Sequence, residues 1–386
     1  MRRSLVITLL VVSLVLAVAG ILMVFSSSAA YAYVKHDGDS TYFLKRHVIN
    51  LAVALVVGAF CAFVDYHFWE RLAWPATAAA IALLAAALVF GVGSYAAPVH
   101  RWLKVGSLYL QPSELAKLAT VLVLAKYIAR RGQLESAYEK WVPLGAVAVM
   151  FAAVAVEPDF SMAFLIAVTA FVMLFLGGVK IRYMVGAGAL VAPLLGIMIS
   201  VQKYQVSRLM SYMDPWRYAR GRGYQVIQSL IALGSGGILG KGLGASNQKL
   251  FYLPQAHTDF VYAILGEEFG FVGAAAVLLA FAVLIIAGFK TAARADDVFG
   301  RYLAAGLTTL VGLGAAVNLS VVTGLIPTTG IPLPFISYGG TSLVATFAAV
   351  GILISVARRS GVDSGFGYAR AEAAPTSLNG TFVDYV

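Results

Sequence analysis

Asp259 stands in the segment Leu253-Pro254-Gln255-Ala256-His257-Thr258-Asp259-Phe260, at the mouth of an apolar stretch that begins at Val261. A carboxylate at such a boundary can do three things. It can cap a helix N-terminus by accepting backbone N–H bonds, with Thr258 as a rival cap. It can act as a general base, which needs a hydroxyl proton within hydrogen-bond reach and gains strength where apolar walls raise its pKa. It can also ligate a divalent cation such as Mg2+ or Mn2+. Spacing alone leaves the three open. His257 could assist, although a lone loop histidine is more often a polar surface residue.

The stretch 201–260 interrupts the apolar runs and collects Lys203, Arg208, Arg217, Arg220, Arg222, Lys241 and Lys249. A cationic loop is commonly just solvated. The functional alternative is an anionic ligand, because Arg forks and Lys point charges match diphosphate groups. The glycines between Gly234 and Gly244 let backbone approach a ligand closely. The run lacks the Gly-Lys-Ser/Thr of a phosphate-binding loop, so no nucleotide is expected.

Other charges lie inside apolar runs, where they are costly and mark pairing or function. Glu114 and Lys117 are three apart and share a helix face, as an internal ion pair or as part of a cavity. Glu267 and Glu268 follow Asp259 along the next apolar run and are expected to face protein or cavity. The stretch 323–342 contains Pro327, Pro332, Pro334, Ser337 and the pair Gly339-Gly340. It cannot be helical throughout, yet it is apolar. That combination predicts a re-entrant segment buried in protein or lining a cavity.

The elements that must position these groups follow from composition. The 386 residues are 60% hydrophobic and 12% charged, with a mean hydropathy of +0.85. No soluble core needs so much apolar surface. Long continuous runs argue for an all-α polytopic membrane protein and against a membrane β-barrel. Ten transmembrane helices are predicted, at about 4–25, 46–66, 72–92, 112–130, 141–157, 160–178, 182–200, 261–289, 300–325 and 337–357. A long extracytoplasmic loop, about 201–260, separates the seventh from the eighth. Glu157-Pro158-Asp159 forms a tight polar corner between the fifth and sixth. The first run is longer than a signal-peptide core and reads as a retained helix.

Lys and Arg set the orientation. One side would hold Arg2, Arg3, Arg71, Lys126, Arg130, Arg131, Lys140, Lys180, Arg182, Lys290, Arg294, Arg301, Arg358, Arg359 and Arg370. The short loops of the other side hold Lys35, Lys45, Arg46, Arg101 and Lys104. The positive-inside rule then puts both termini in the cytoplasm and Asp259 outside it. Residues 1–359 form the membrane domain, and 360–386 read as a disordered cytoplasmic tail. The net charge of +10 follows membrane topology, so no nucleic acid is expected. The single cysteine, Cys61, excludes an internal disulfide and a Cys-based metal site. No internal repeat is visible, which leaves an ion-coupled transporter without support.

Several motifs, in order along residues 5–359, resemble the SEDS family (shape, elongation, division and sporulation). They are Gln111-Pro112-Ser113-Glu114, Asp214-Pro215-Trp216, Gly223 to Ser229, Gly234-Ser235-Gly236-Gly237, His257-Thr258-Asp259-Phe260 and Gly330 to Gly340. The segments Gln248–Pro254 and Ala263–Glu268 are more similar to the division branch than to the elongation branch. The resemblance implies a peptidoglycan glycosyltransferase that polymerises lipid II outside the cytoplasmic membrane. It implies that Asp259 is essential, and it carries the family's helix-four pair onto Glu114 and Lys117. It places diphosphate contacts on Arg208, Arg217, Arg222, Lys241 and Lys249, with His257 and Ser337 beside the substrate. Pro332, Pro334, Gly339 and Gly340 would shape the cavity. The implied partners are lipid II, a polyprenyl-diphosphate-linked glycan, membrane lipids, other division proteins and a class B penicillin-binding protein. The last would dock on the eighth and ninth spans.

Two other classes share much of this pattern. A lipid II flippase would bind the same substrate without making a bond, and would show charges along a path deep in the bilayer. A scaffold would need no essential carboxylate.

Overall fold

Backbone in hydrocarbon must satisfy its own hydrogen bonds, so long apolar runs become helices. The computed structural model describes residues 2–94, 97–106, 108–130, 137–157, 159–186, 188–189, 196, 203–221 and 223–359. The helices are α1 (Arg2–Lys35), α2 (Tyr42–Phe63), α3 (Tyr66–Phe90), α4 (Pro112–Arg130), α5 (Ala137–Val156), α6 (Phe160–Leu176), α7 (Lys203–Met213), α8 (Gly223–Gly236), α9 (Val261–Ala293), α10 (Val298–Val322) and α11 (Gly340–Arg359). Among the described residues, six helices are long and apolar enough to cross a membrane: α1, α2, α3, α9, α10 and α11. Shorter apolar helices run over Trp141–Val156 and Phe160–Leu176. The predicted span 182–200 and the tail 360–386 fall largely or wholly outside the described residues.

Three expectations are corrected. The fold is not all-α, because a three-stranded antiparallel sheet joins α3 to α4: β1 (Val92–Ser94), β2 (Ala97–Val105) and β3 (Leu108–Leu110). Leu103 pairs with Leu110 and Val105 with Leu108. A Gly-Ser pair between apolar residues is a hairpin signal. The stretch 201–260 is not simply a loop, since α7 and α8 lie within it. Asp259 is not a helix cap: Phe260 holds that place in α9, and Thr258 Oγ1 turns back to Gln255.

Connections gather at two ends of the bundle. At one end Arg359 pairs with Asp65, Tyr66 bonds Asp297, and Arg130 reaches Glu70 at 3.0 Å. At the other lie β1–β3, the 157–159 corner, α7, α8 and the irregular segment 323–339, joined by the contacts described below.

The interior is built around α4, which packs on α3, α6 and α10 and is buried over most of its length. The most intimate helix pair is α2 with α11. There Gly58 lies under the Phe347 carbonyl, and Gly351 lies against the carbonyl of Gly58. Small residues let helices approach where lipid supplies no hydrophobic drive. A Cβ at Gly351 would collide with that carbonyl. Gly351→Ala should therefore separate the two helices and cost about 1–3 kcal/mol, as overpacking does. Thermal unfolding of the detergent-solubilised variant should show a lowered midpoint.

Candidate active site

The irregular segment is held against the strand of chain that carries Asp259. Three successive carbonyls are each taken by a donor from elsewhere. The Tyr338 N–H donates to His257 O at 3.0 Å. Ser337 Oγ donates to Thr258 O at 2.5 Å and accepts the Leu333 N–H at 2.8 Å. Asn318 Nδ2, from α10, donates to Asp259 O at 2.8 Å and to Ile331 O at 2.7 Å. The Ser337 hydroxyl proton is thus committed to the Thr258 carbonyl. Gly330, at φ +86°, passes close to Asp259 Oδ2, where a Cβ would lie 3.6 Å away.

Asp259 is half-buried as a residue, and protein surrounds its carboxyl. Burial is the main cause that pushes its pKa up, to about 6; the Arg208 charge opposes this and the Asp159 charge adds to it. Arg208, from α7, donates to Thr329 O at 3.4 Å, and the same carbonyl accepts Ser161 Oγ at 2.7 Å. Thus α6, α7 and the irregular segment meet beside the carboxylate.

A second acidic group lies next to it. Asp159 is buried, caps α6 through the Met162 N–H, accepts Gln111 Nε2 at 3.2 Å and faces Arg101 at 3.9 Å. Arg101 comes from β2 and also donates to Glu157 O at 3.2 Å. Both carboxyl oxygens of Glu157 are buried, and neither has a hydrogen-bond partner among the described residues. Burial first, and the Asp159 charge second, push its pKa up to about 8, against Arg101. Sequence reading saw only a polar corner here and missed Asp159, Arg101 and Asn318 as site residues. A lone Asn in an apolar helix was the signal for the last.

The predicted cations divide. Lys241 binds Glu267 at 2.6 Å and Lys249 binds Glu268 at 2.8 Å. Glu267 also accepts Ser235 Oγ, Ser246 Oγ and the N–H groups of Asn247 and Gln248. Ser26 of α1 completes the Glu268 site with a 2.6 Å bond. Behind them α9 is broken at Gly270, whose φ of 64° admits the backbone of Ile238 and Gly240. The two glutamates therefore fasten the connection from α8 onto α9. Arg217 is exposed on the turn that follows Asp214, and Arg222 lies outside the described residues. Arg208 is the loop cation whose charge bears on Asp259. The His257 ring packs among Tyr31, Phe43 and Tyr338. Burial pushes its pKa down to about 4, so the ring is neutral.

Glu114 and Lys117 pair at 3.0 Å inside α4. They line a cavity of about 30 Å³ together with Ile331, Pro332, Pro334 and Ser342, room for about two waters. Gly340 lies against the Asn50 amide, and Gly339 precedes it at the start of α11. Ile331 links this cavity to Asp259, since Asn318 binds both carbonyls.

A helical membrane bundle with a half-buried carboxylate, an arginine and a second acid at one end defines a class: polytopic membrane proteins whose chemistry sits at the ends of their helices. Residues 6–361 match the family described as cell cycle protein, the FtsW, RodA and SpoVE group, and the chain belongs to that family. It is 39% identical over 353 residues to a probable peptidoglycan glycosyltransferase FtsW of Geobacter sp. (strain M18), covering 91% of this chain and 96% of that protein. It is also 39% identical over 355 residues to stage V sporulation protein E of Bacillus subtilis (strain 168), covering 91% and 96%. A chain from the structure described as "Structural coordination of polymerization and crosslinking by a peptidoglycan synthase complex" superposes with a TM-score of 0.74 at 29% identity, over 92% and 98% of the two chains. Rod shape determining protein RodA of Thermus thermophilus gives a TM-score of 0.68 at 26% identity, over 92% and 97%.

Two predictions follow from the geometry. Asn318→Ala leaves two buried carbonyls without their donor and should cost about 1–3 kcal/mol, read as a lowered unfolding midpoint. Glu157 has a folded-state pKa above its ordinary value of 4.5. The folded protein therefore holds its proton more tightly, and stability falls as pH rises through about 8. Glu157→Gln should remove this slope, so the variant gains on the wild type between pH 6 and 9 in thermal melts.

Proposed function

We propose that this chain is a peptidoglycan glycosyltransferase that polymerises lipid II at the outer face of the cytoplasmic membrane, in septal wall synthesis during cell division. The observation that carries the reading is Asp259: a carboxyl held by three clamped carbonyls, raised to about 6 by burial, and still reachable. A relative that bears the name glycosyltransferase aligns over almost its whole length, which supports the same activity here. Both termini lie in the cytoplasm in this reading, and the Asp259 end of the bundle lies outside.

The reaction is a single displacement. The 4-hydroxyl of an incoming lipid II attacks the anomeric carbon of the lipid-linked glycan. A C–O bond forms there as the bond from that carbon to the diphosphate oxygen breaks. Asp259 takes the hydroxyl proton, and polyprenyl diphosphate leaves with the electron pair. The anomeric configuration inverts, because one displacement occurs. Arg208 stands where negative charge develops on the leaving group, with Arg217 and Arg222 in the same segment to extend the contact. Lys241 and Lys249 act through the loop they hold, as ion-pair partners of Glu267 and Glu268.

A divalent cation fits this chemistry. Mg2+ is commonly held by one or two carboxylates together with substrate phosphates. Asp259 supplies one such ligand. No group of three or more His, Cys, Asp or Glu side chains suited to a metal is found among the described residues, so the diphosphate and water would complete the shell. Bound there, the ion would neutralise charge on the leaving diphosphate.

The likeness to a chain of a peptidoglycan synthase complex supports a crosslinking partner, a class B penicillin-binding protein, docked on α9 and α10.

The test is Asp259→Asn in reconstituted protein supplied with external lipid II, where the rate should fall at least about a hundredfold, the scale of a lost general base. Polymerisation at the wild-type rate would remove Asp259 from the mechanism. Any polymer made by the wild type under these conditions separates a polymerase from a flippase. The base must be ionised, so the wild-type rate should hold above pH 6 and fall as pH drops through about 6.

A further inference from the structure

Asp259 has two unlike flanks. One is the charged side with Arg208 and Asp159. The other is a convergence of rings from four segments of chain. Tyr31 comes from α1, Phe43 from α2, Phe251 and His257 from the connection before α9, and Tyr338 from the irregular segment. Phe43 and His257 lie 4.6 Å apart between ring centres, Tyr31 and His257 5.6 Å, and Tyr31 and Phe251 6.3 Å. Phe43 meets Tyr338 edge-on at 5.2 Å. Aromatic residues at a membrane boundary commonly serve as anchors in the headgroup layer, standing singly around the rim. Rings drawn from separate segments onto one spot, two residues from the catalytic carboxyl, form a different arrangement.

Two features indicate that the cluster is built to meet a ligand. Phe251 is 54% exposed and Tyr31 38% exposed, so ring faces remain uncovered. Phe251 also adopts φ +67°, a conformation that a bulky side chain rarely takes and that costs free energy. The surroundings enforce it. Glu267 fixes the N–H groups of Asn247 and Gln248, Lys249 is tied to Glu268, and the Leu253 N–H closes back on Gln248 O at 2.8 Å. An apolar ring is thus held uncovered by protein on a fastened loop. Preorganised rings of this kind lose little entropy when they bind.

We propose that Phe251 and Tyr31, backed by Phe43, His257 and Tyr338, form a saccharide subsite on which a pyranose ring of the glycan strand stacks. A pyranose presents C–H groups on one face and hydroxyls at its edge. It therefore matches an aromatic face bordered by polar groups. Here a polar group at the border is Arg46, whose side chain hydrogen-bonds that of Tyr338. The proposal rests on the glycosyltransferase reading and adds to it where the sugar lies relative to Asp259.

The experiment uses the full chain in vesicles, with lipid II added outside and the glycan product sized by gel. Phe251→Ala and Tyr31→Ala should each lower kcat/KM about fivefold, within the range of one lost aromatic contact, and shorten the strands. Phe251→Trp should restore both values, whereas Phe251→Leu, which keeps bulk and loses the ring, should not. Tyr33→Ala is the control for membrane anchoring. Tyr33 is 62% exposed and lies two residues further along α1, on another face. An equal loss in Tyr33→Ala, full rescue by Phe251→Leu, or unchanged rate and strand length in both alanine variants would overturn the subsite. Wild-type protein run alongside keeps this separate from the underlying activity. A wild type that makes no polymer counts against the glycosyltransferase reading, whereas a normal wild type beside unaffected alanine variants counts against the subsite alone.

Discussion

The structure turns on three hydrogen bonds to consecutive carbonyl oxygens. His257, Thr258 and Asp259 each present a carbonyl that a helix would otherwise have used, and Tyr338, Ser337 and Asn318 take them. Orphaned carbonyls in an apolar region are expensive. The prolines at 332 and 334 keep the facing segment irregular, so its own polar groups also need partners. The two irregular stretches satisfy one another, and this mutual need fixes the height at which Asp259 stands. The backbone thereby sets where its carboxyl stands, between the charges of Arg208 and Asp159.

A second constraint governs the charges. Many cations beside an anion site suggest a single basic surface. The glutamates of α9 divide them instead. Glu267 and Glu268 neutralise Lys241 and Lys249 and so convert two of the seven cations of 201–260 into structure. Replacing one partner of a buried pair strands the other charge, which is far costlier than never having had the pair. Arg208 is left on the Asp259 side, opposed by Asp159. The local field is balanced, since the Arg208 charge pulls the Asp259 pKa down while burial and the Asp159 charge push it up.

Much of this was legible in the sequence. Helix α4 begins and ends where the pattern placed it, because Pro112 opens it and the charge pair Glu114–Lys117 marks its inner face. The irregular segment was readable from its prolines and glycines. Asp259 was readable as a carboxylate at a hydrophobic boundary. What failed has physical causes. Two of the three strands have only three residues, too few to show a period, and the nine-residue β2 opens on Ala97-Pro98 and sets Trp102 beside Leu103, so the sheet before α4 passed as loop. Helix α7 was hidden by Lys203 and Arg208, and α8, which holds no Lys or Arg, by the cations that flank it and by the glycines at its two ends. Asp159 and Arg101 lie 58 positions apart along the chain and meet only through the fold. No spacing rule reaches that far.

Helix α4 carries a consequence for how the protein is made. It holds Glu114, Lys117, Lys126 and Arg130, more charge than its neighbours, and it is also the most enclosed. Its cover comes partly from α3 and α6, but also from α10 and α11, which leave the ribosome long after it. During that interval the helix has no complete protein shell, and charged residues partition poorly into lipid without one. The internal ion pair shields part of this charge at once. The remainder must wait beside the insertion machinery, so the last two helices act as the latch that completes biogenesis.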